Sequence, residues 1–362
     1  MSLRRIGILT SGGDCSGLNS IIRAAYIRAK TLGYELFGIK RGLKGLLTDP
    51  PEYVALNDDI CNDSMLTTAG SIIYSDTRAI KESGRSVDEI KSLLRSGYKK
   101  LALDGLICIG GDGSLKIVSE LLICNGQDLN VVSVPKTIDN DVNYTDLAIG
   151  FQTSVEVAVN AVDNITSTAR SHERAIVVEV MGRGAGFIAM NVGIASGADV
   201  ILVPEFKYDI EKVKAKVKSC FSSGKGYCIL IVAESVEADD FKHDKNYVDD
   251  VVKYTQITYK GIARHIANEI KETGIESRYV KLGHVQRGGK TSINDRLLGS
   301  MFGVEAVNLI NNHDYGKLLC YVNNKIETID IKTAVKNPNK TLSKDDPYVN
   351  IAKQLGVYVG EI

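Results

Sequence analysis

Asp139 and Asp141 stand one residue apart in the run Pro135-Lys136-Thr137-Ile138-Asp139-Asn140-Asp141, with Lys136 three positions before the first of them. The run follows the apolar stretch 130–134, which reads as a strand. That places the acids at a strand's carboxyl end, where open α/β sheets bind ligands. Phosphoryl transfer requires a protein to line up two oxygens, take one proton and neutralise phosphate charge. An aspartate here could serve as the base, while the neighbouring acid and the lysine organise metal and phosphate. Taken alone, Asp139-Asn140-Asp141 also fits a solvated Asx-rich turn. Other segments must decide between the readings.

Two more polar loops follow predicted strands. Residues 5–10 (RIGILT) run into Ser11-Gly12-Gly13-Asp14-Cys15-Ser16-Gly17-Leu18-Asn19 ahead of a helical stretch over 21–32. Strand, glycine-rich turn and helix bring backbone N–H groups close to phosphate oxygens, and glycines leave that approach open. Sterics alone can also place two glycines in such a turn, and neither the dinucleotide nor the P-loop fingerprint is present. Residues 106–109 then feed Gly110-Gly111-Asp112-Gly113-Ser114 before a helix predicted over 115–123. Glycines on both sides of Asp112 give close backbone approach around a carboxylate suited to a hard divalent cation, magnesium rather than zinc. Several nucleotide-using kinase families carry similar runs, diacylglycerol kinases and NAD kinases among them, so GGDGS names the chemistry and not the acceptor.

The elements that must position these loops alternate. Strands are predicted at 34–40, 175–180, 200–203, 227–232 and 277–282, with helical stretches at 150–168, 209–222 and 294–311. Ser86 and Glu89 form a capping-box pattern for a helix running to about Gly97. Alternation of this kind predicts parallel α/β sheets. The second-half strands deliver Met181-Gly182-Arg183-Gly184, Glu234 and His284-Val285-Gln286-Arg287 to their carboxyl ends. An arginine fork among glycines suits a phosphoryl group, and a carboxylate can accept sugar hydroxyls. His284 out of context would read as structural. Arg78, after Tyr74, could pair with a nucleotide phosphate or lie solvated beside Asp76. The last fifty-odd residues carry no nameable chemistry and are expected to pack against the rest.

With 362 residues, the chain is long enough for about two domains. The 44 basic and 44 acidic side chains cancel, which argues against a broad nucleic-acid surface. No apolar run could span a bilayer, so a soluble cytoplasmic protein is expected. The seven scattered cysteines read mostly as small core residues of a reducing compartment, and the five histidines lack zinc-ligand spacing.

GGDGS followed at the next strand end by PKTIDND makes the chain resemble the phosphofructokinase family. The opening GILTSGGDCSGLN, then Ser171-His172-Glu173-Arg174, Met181-Gly182-Arg183-Gly184, Ala233-Glu234 and Leu282-Gly283-His284-Val285-Gln286-Arg287-Gly288-Gly289 fall in family order over roughly residues 5–300. The resemblance implies two α/β/α lobes with mainly parallel sheets and the active site in the cleft between them. A nucleotide lobe would span 1–150 and a fructose 6-phosphate lobe 151–285; 286–335 would return to the first, and 336–362 pack on the second. The implied reaction moves the γ-phosphoryl group of ATP to the 1-hydroxyl of fructose 6-phosphate, a glycolytic step. Asp139 would be the base, Thr137 would contact the transferring group, Arg183 would offset developing charge, and Asp112 and Asp141 would hold Mg2+. Gly13, Tyr74, Arg78, Gly111, Gly113 and Ser114 would take the nucleotide. Met181, Gly182, Glu234, His284 and Arg287 would take the sugar phosphate, joined by Arg174 and Arg278 of a neighbouring subunit in a homotetramer.

Two positions bear on the donor. Gly113 goes with ATP in the family, because an aspartate there would repel the α-phosphate; Lys136 stands where pyrophosphate-dependent members carry lysine. Gly113 weighs more, and a pyrophosphate-dependent phosphotransferase is the alternative. A non-catalytic sugar-phosphate sensor is the more distant rival, since it would need neither Asp112 nor Asp139. Departures are Cys15 and Ser16 in place of alanine and proline, Arg78 shifted by one position, and Ile27 and Thr166 where effector-site arginines are common beside Arg23, Asp199 and Lys225. Weakened or altered allosteric control is the expectation. The stretch 235–259, rich in acid and tyrosine, is longer than in short bacterial members and is expected at a surface or subunit contact.

Overall fold

The strands whose carboxyl ends carry the polar loops form two sheets. In chain order they are β1 Arg4–Ser11, β2 Tyr34–Ile39, β3 Tyr53–Ala55, β4 Ser75–Asp76, β5 Gly105–Gly110, β6 Val131–Pro135, β7 Ala175–Val180, β8 Val200–Leu202, β9 Cys228–Ala233, β10 Ser277–Lys281, β11 Lys317–Val322 and β12 Lys325–Asp330. The computed structural model describes residues 4–76, 80, 84–123, 129–237 and 261–361. The larger sheet has the order β12-β11-β6-β5-β1-β2-β3 with β4 added beside β1, and the smaller has the order β10-β7-β9-β8.

β5, β6, β7 and β9 are buried along their whole length. Their Val- and Ile-rich runs are what a parallel sheet covered on both faces requires. The expected parallel alternation is therefore found, and among the described residues antiparallel pairing is confined to the margins, at β2–β3 and β11–β12. The late hairpin β11–β12 joins the larger sheet through β11, parallel to β6, so a segment expected only to pack against the rest extends the sheet that carries PKTIDND. The helices Phe187–Ala195 and Ile262–Lys271 also lie outside the sequence expectation. The first is too uniformly apolar to show a face.

Glycines and one acid fix how the second half returns to the first. Helix Leu18–Thr31 crosses helix Ile293–Asn311 at Gly299 and Gly303, where a Cβ would lie 2.9 Å from Ser20 Cβ and 2.4 Å from the Ile21 carbonyl oxygen. Only glycine permits so close a crossing there. Asp295, in the first turn of the later helix, is fully buried. Its carboxylate accepts the N–H groups of Gly150 (3.0 Å) and Thr153 (2.8 Å) and the Thr153 hydroxyl (2.5 Å). Gly150, the N-cap of helix Phe151–Ser171, has a left-handed φ of 98° and no capping side chain of its own. Asp295 supplies the cap from 145 residues away. The Ser86–Glu89 capping box forms as expected, with both reciprocal bonds. Among the described residues, no helix is long and apolar enough to cross a membrane.

Candidate active site

The carboxyl ends of the two sheets converge. Arg287, beyond β10, brings its guanidinium to the loop after β1: a Cβ on Gly13 would meet Nη1 at 2.8 Å, and Nη1 lies 3.9 Å from Asp14 Oδ1. The Ser16 hydroxyl donates to the Gly288 and Gly289 carbonyls at 3.2 and 3.0 Å. Serine at this position thus ties the β1 loop to the β10 loop. Cys15 faces the other way, its thiol 3.5 Å from the Ile149 carbonyl oxygen, and burial pushes the thiol up to about 12. It is a packing residue and no nucleophile.

Lys136 is buried at the end of β6, and its ammonium donates to the Gly13 carbonyl at 2.6 Å. Burial lowers its pKa. The lysine therefore props the β1 loop from below. Gly111 leaves room for the same strand end, since a Cβ there would lie 3.0 Å from the Lys136 carbonyl oxygen. Ser114 donates to Ser11 Oγ at 3.0 Å, closing GGDGS onto the β1 strand. Gly13, Gly111, Gly113 and Ser114 are thus gathered where β1, β5 and β6 end.

The chain then reverses at Asn140, whose φ of 54° is left-handed. Its side chain explains the choice of residue: Oδ1 accepts the Ala148 N–H at 2.9 Å and Nδ2 donates to the Asp146 carbonyl at 3.0 Å. This fastened reversal holds Asp139 and Asp141 on either side of it. The Asp139 N–H donates to Thr137 Oγ1 at 3.1 Å. Asp139 is buried, and burial, then repulsion from Asp141, raises its pKa to about 7 against the pull of Arg183. A carboxylate poised near neutrality is suited to proton abstraction. Asp141 is raised by burial as well, and the Asn339 amide, donating at 2.7 Å, counters this.

The smaller sheet supplies the facing side. Arg183 is exposed with a left-handed φ of 51°, in the turn after β7, and its field reaches both Asp139 and Asp141. Its own N–H donates to Glu234 Oε1 at 3.3 Å. Burial raises the pKa of Glu234, which follows β9. Gly182 allows the turn by a φ of 146°. The Met181 N–H donates at 2.9 Å to Gln286 Oε1, from a side chain that is itself buried. Gln286 lies inside the HVQRGG motif, and only its burial distinguishes it from the exposed His284 beside it.

Of the other predicted residues, Tyr74 borders the β1 loop, its carbonyl accepting the Thr10 hydroxyl at 2.7 Å, whereas Arg174 and Arg278 lie apart. Tyr74 is 57% exposed with φ 60°, under the Arg41 guanidinium at 5.8 Å. Arg78 and its neighbour Thr77 fall outside the described residues, as does most of 235–259. Arg174 and Arg278 lie at the amino ends of β7 and β10 and grip Glu276 from both sides, at 3.0 and 2.6 Å. Within one chain, at about 3.3 Å per residue, roughly 20 Å of strand separates Arg174 from the carboxyl end of β7 and roughly 10 Å separates Arg278 from that of β10. Of the effector-type positions, Arg23 pairs with Asp63 at 2.5 Å, Lys225 with Asp199 at 2.6 Å, and the Thr166 hydroxyl bonds the Val162 carbonyl of its own helix. Asp199 also lies with Cys220 and Cys228 in a group whose ligand atoms fall within 4.8 Å of one another.

Asp112, Asp139 and Asp141 bring three carboxyl groups to the strand ends, near enough to act on one another. Asp112 adds to the repulsion that Asp141 feels, while Lys116 pairs with Asp112 itself at 3.0 Å. A pair of carboxylates, with phosphate oxygens and water completing an octahedron, is the donor set magnesium takes. The residues present therefore fit Mg2+.

Comparisons with known proteins bear on the family and the fold. Residues 5–310 match the family described as Phosphofructokinase. The chain is 42% identical to ATP-dependent 6-phosphofructokinase 1 of Nostoc sp., over 99% of each chain. It is 38% identical to the pyrophosphate–fructose 6-phosphate 1-phosphotransferase of Dictyoglomus thermophilum, over 94% of this chain and 96% of that one. Among solved structures it superposes on phosphofructokinase from Saccharomyces cerevisiae with a TM-score of 0.79 at 28% identity, covering 92% of this chain and 45% of that longer one. A family match over most of the length and relatives aligned from end to end lead to one assignment: the chain belongs to the phosphofructokinase family.

Proposed function

We propose that the protein transfers the γ-phosphoryl group of ATP to the 1-hydroxyl of fructose 6-phosphate, giving fructose 1,6-bisphosphate. The observation that carries this reading is Asp139, a buried carboxylate held near neutrality opposite Arg183 and Arg287. Asp139 takes the proton of the 1-hydroxyl as that oxygen bonds to the γ-phosphorus; the bond to the β-bridging oxygen breaks, and ADP leaves with the electron pair. Arg183 offsets charge on the moving group, and Thr137 orients it. Asp112 and Asp141 would hold Mg2+, which neutralises phosphate charge when bound. The β1 and β5 loops take the nucleotide, while Met181, Glu234, His284 and Arg287 take the sugar phosphate. The lobes divide as 1–150 with 286–335, and 151–285 with 336–362.

Arg174 and Arg278 belong to this reading through a second copy, as sites shared in a homotetramer, because their own chain holds them at the far end of its sheet. ATP as donor is supported by Gly113 and by the engagement of Lys136 with Gly13, which makes the lysine a prop instead of a free charge for pyrophosphate. The similarity to a pyrophosphate-dependent enzyme keeps pyrophosphate as the second reading. Purified protein with fructose 6-phosphate and Mg2+, offered ATP and pyrophosphate in parallel, separates them. Turnover with ATP at least about tenfold above that with pyrophosphate is expected. The reverse ratio would make Lys136 the deciding residue, and no turnover with either would overturn the assignment.

A further inference from the structure

Asp141 is held by a segment far along the chain. Asn339 Nδ2 donates to Asp141 Oδ2 at 2.7 Å, and the Lys340 N–H donates to the Asp141 carbonyl oxygen at 2.8 Å. Both the carboxylate and the peptide plane of one residue are thereby fixed by two consecutive residues. Pro338 accepts from Asn143 Nδ2 at 2.9 Å, and the Lys340 ammonium donates to the Thr145 carbonyl at 2.8 Å, so the same segment clamps the loop that follows PKTIDND. Its other end reaches the smaller sheet. The Leu342 N–H donates at 3.0 Å to Glu205 Oε1, and that same oxygen accepts the Gly186 N–H at 2.9 Å. Gly186 closes the turn that carries Arg183, and Lys340 Nζ lies 5.2 Å from the ring of Phe187 beside it.

We propose that Asn339 is a positioning residue for Asp141, and that 337–342 form a strap setting the Asp141 loop relative to the Arg183 turn. The proposal rests on the phosphotransferase reading for the task it gives Asp141. A neutral amide orients the carboxylate without cancelling its charge, which a lysine in the same place would do, so the oxygens keep their value for a hard cation. Residues that orient ligating carboxylates in this way typically change metal affinity or activity about 10- to 100-fold when replaced.

The test compares Asn339→Leu, which keeps the volume and loses the donor, with Asn339→Ser, which is too short to reach. Mn2+ binding is followed by electron paramagnetic resonance, with the ion alone and with ATP, alongside kcat, KM for fructose 6-phosphate and thermal melting. Expected are Mn2+ binding and kcat weakened about tenfold or more, with KM for the sugar phosphate within about twofold of the parent. Lowered melting with unchanged Mn2+ binding and kcat would make the segment merely structural and overturn the proposal. If the parent turns over no sugar phosphate, the phosphotransferase reading fails, while the Mn2+ titration, which needs no turnover, still decides the role of Asn339. Should the leucine variant fail to fold, the serine variant carries the same comparison.

Discussion

Replacing Asp139 by asparagine should make the protein both slower and more stable. In the fold this carboxyl is held at about 7 in place of its ordinary 3.8, chiefly by burial and then by repulsion from Asp141. At about 1.4 kcal/mol per tenfold, the ionised form costs the folded state up to about 4 kcal/mol. The sign follows from which state holds the proton. Below the unfolded value of 3.8 both states are protonated and the cost is absent; it grows as pH rises and is complete above about 7. Asparagine cannot ionise, so Asp139→Asn should match the parent near pH 4 and exceed it by about 1 to 4 kcal/mol near pH 8. Urea unfolding of both proteins in EDTA across that range measures the difference. Loss of a positioned base should meanwhile lower kcat by about 10²–10⁴. A stability difference that is absent at high pH, or constant with pH, would refute the picture of a buried, destabilised base. An unchanged kcat would remove Asp139 from the chemistry.

Arg183→Gln should lower kcat by about 10²–10³, equivalent to about 3–4 kcal/mol of transition-state stabilisation, with a smaller change in KM. Equal kcat in steady-state assays would place the guanidinium outside the reacting charge. Asp295→Ala strips the acceptor from two buried N–H groups and a hydroxyl at the start of helix Phe151–Ser171. A loss of about 3–5 kcal/mol in urea unfolding is expected, and a loss under about 1 kcal/mol would mean that the helix caps itself.

Much of the fold was legible because a buried parallel strand is a short Val/Ile run that ends in a glycine or a polar loop. Strands β1, β5, β6, β7 and β9 were placed within a residue or two for that reason. Helix Phe187–Ala195 was not, because an apolar helix buried all round has no polar face to set its period. The late segment reads as short strand-like runs among polar turns, but the bounds and pairing of β11–β12 are not legible, because the second strand is mostly exposed and shows no buried face. Ser16 was visible only as a departure from the family pattern. Its bonds to Gly288 and Gly289 depend on a loop 272 residues away that no local pattern announces.

The site divides along the same line. The residues proposed to do chemistry follow strand ends and are concentrated by type, so Asp112, Asp139, Arg183 and Glu234 stand out one motif at a time. Residues that aim them cannot be found this way, because an amide in a lysine- and asparagine-rich turn looks like any other solvent-facing turn. Asn339 and Asp141 meet only because β11–β12 pairs with β6 and turns the chain back across the loop. Arg174 and Arg278 present the inverse case: their types are right, but their own fold carries them to the amino ends of the strands whose carboxyl ends hold Arg183 and Arg287. Side-chain rotation does not close gaps of roughly 10 to 20 Å along the strands. If both sets hold one sugar phosphate, the second pair must come from another copy of the chain, and Arg174→Ala should then act on KM for fructose 6-phosphate only in the assembled oligomer.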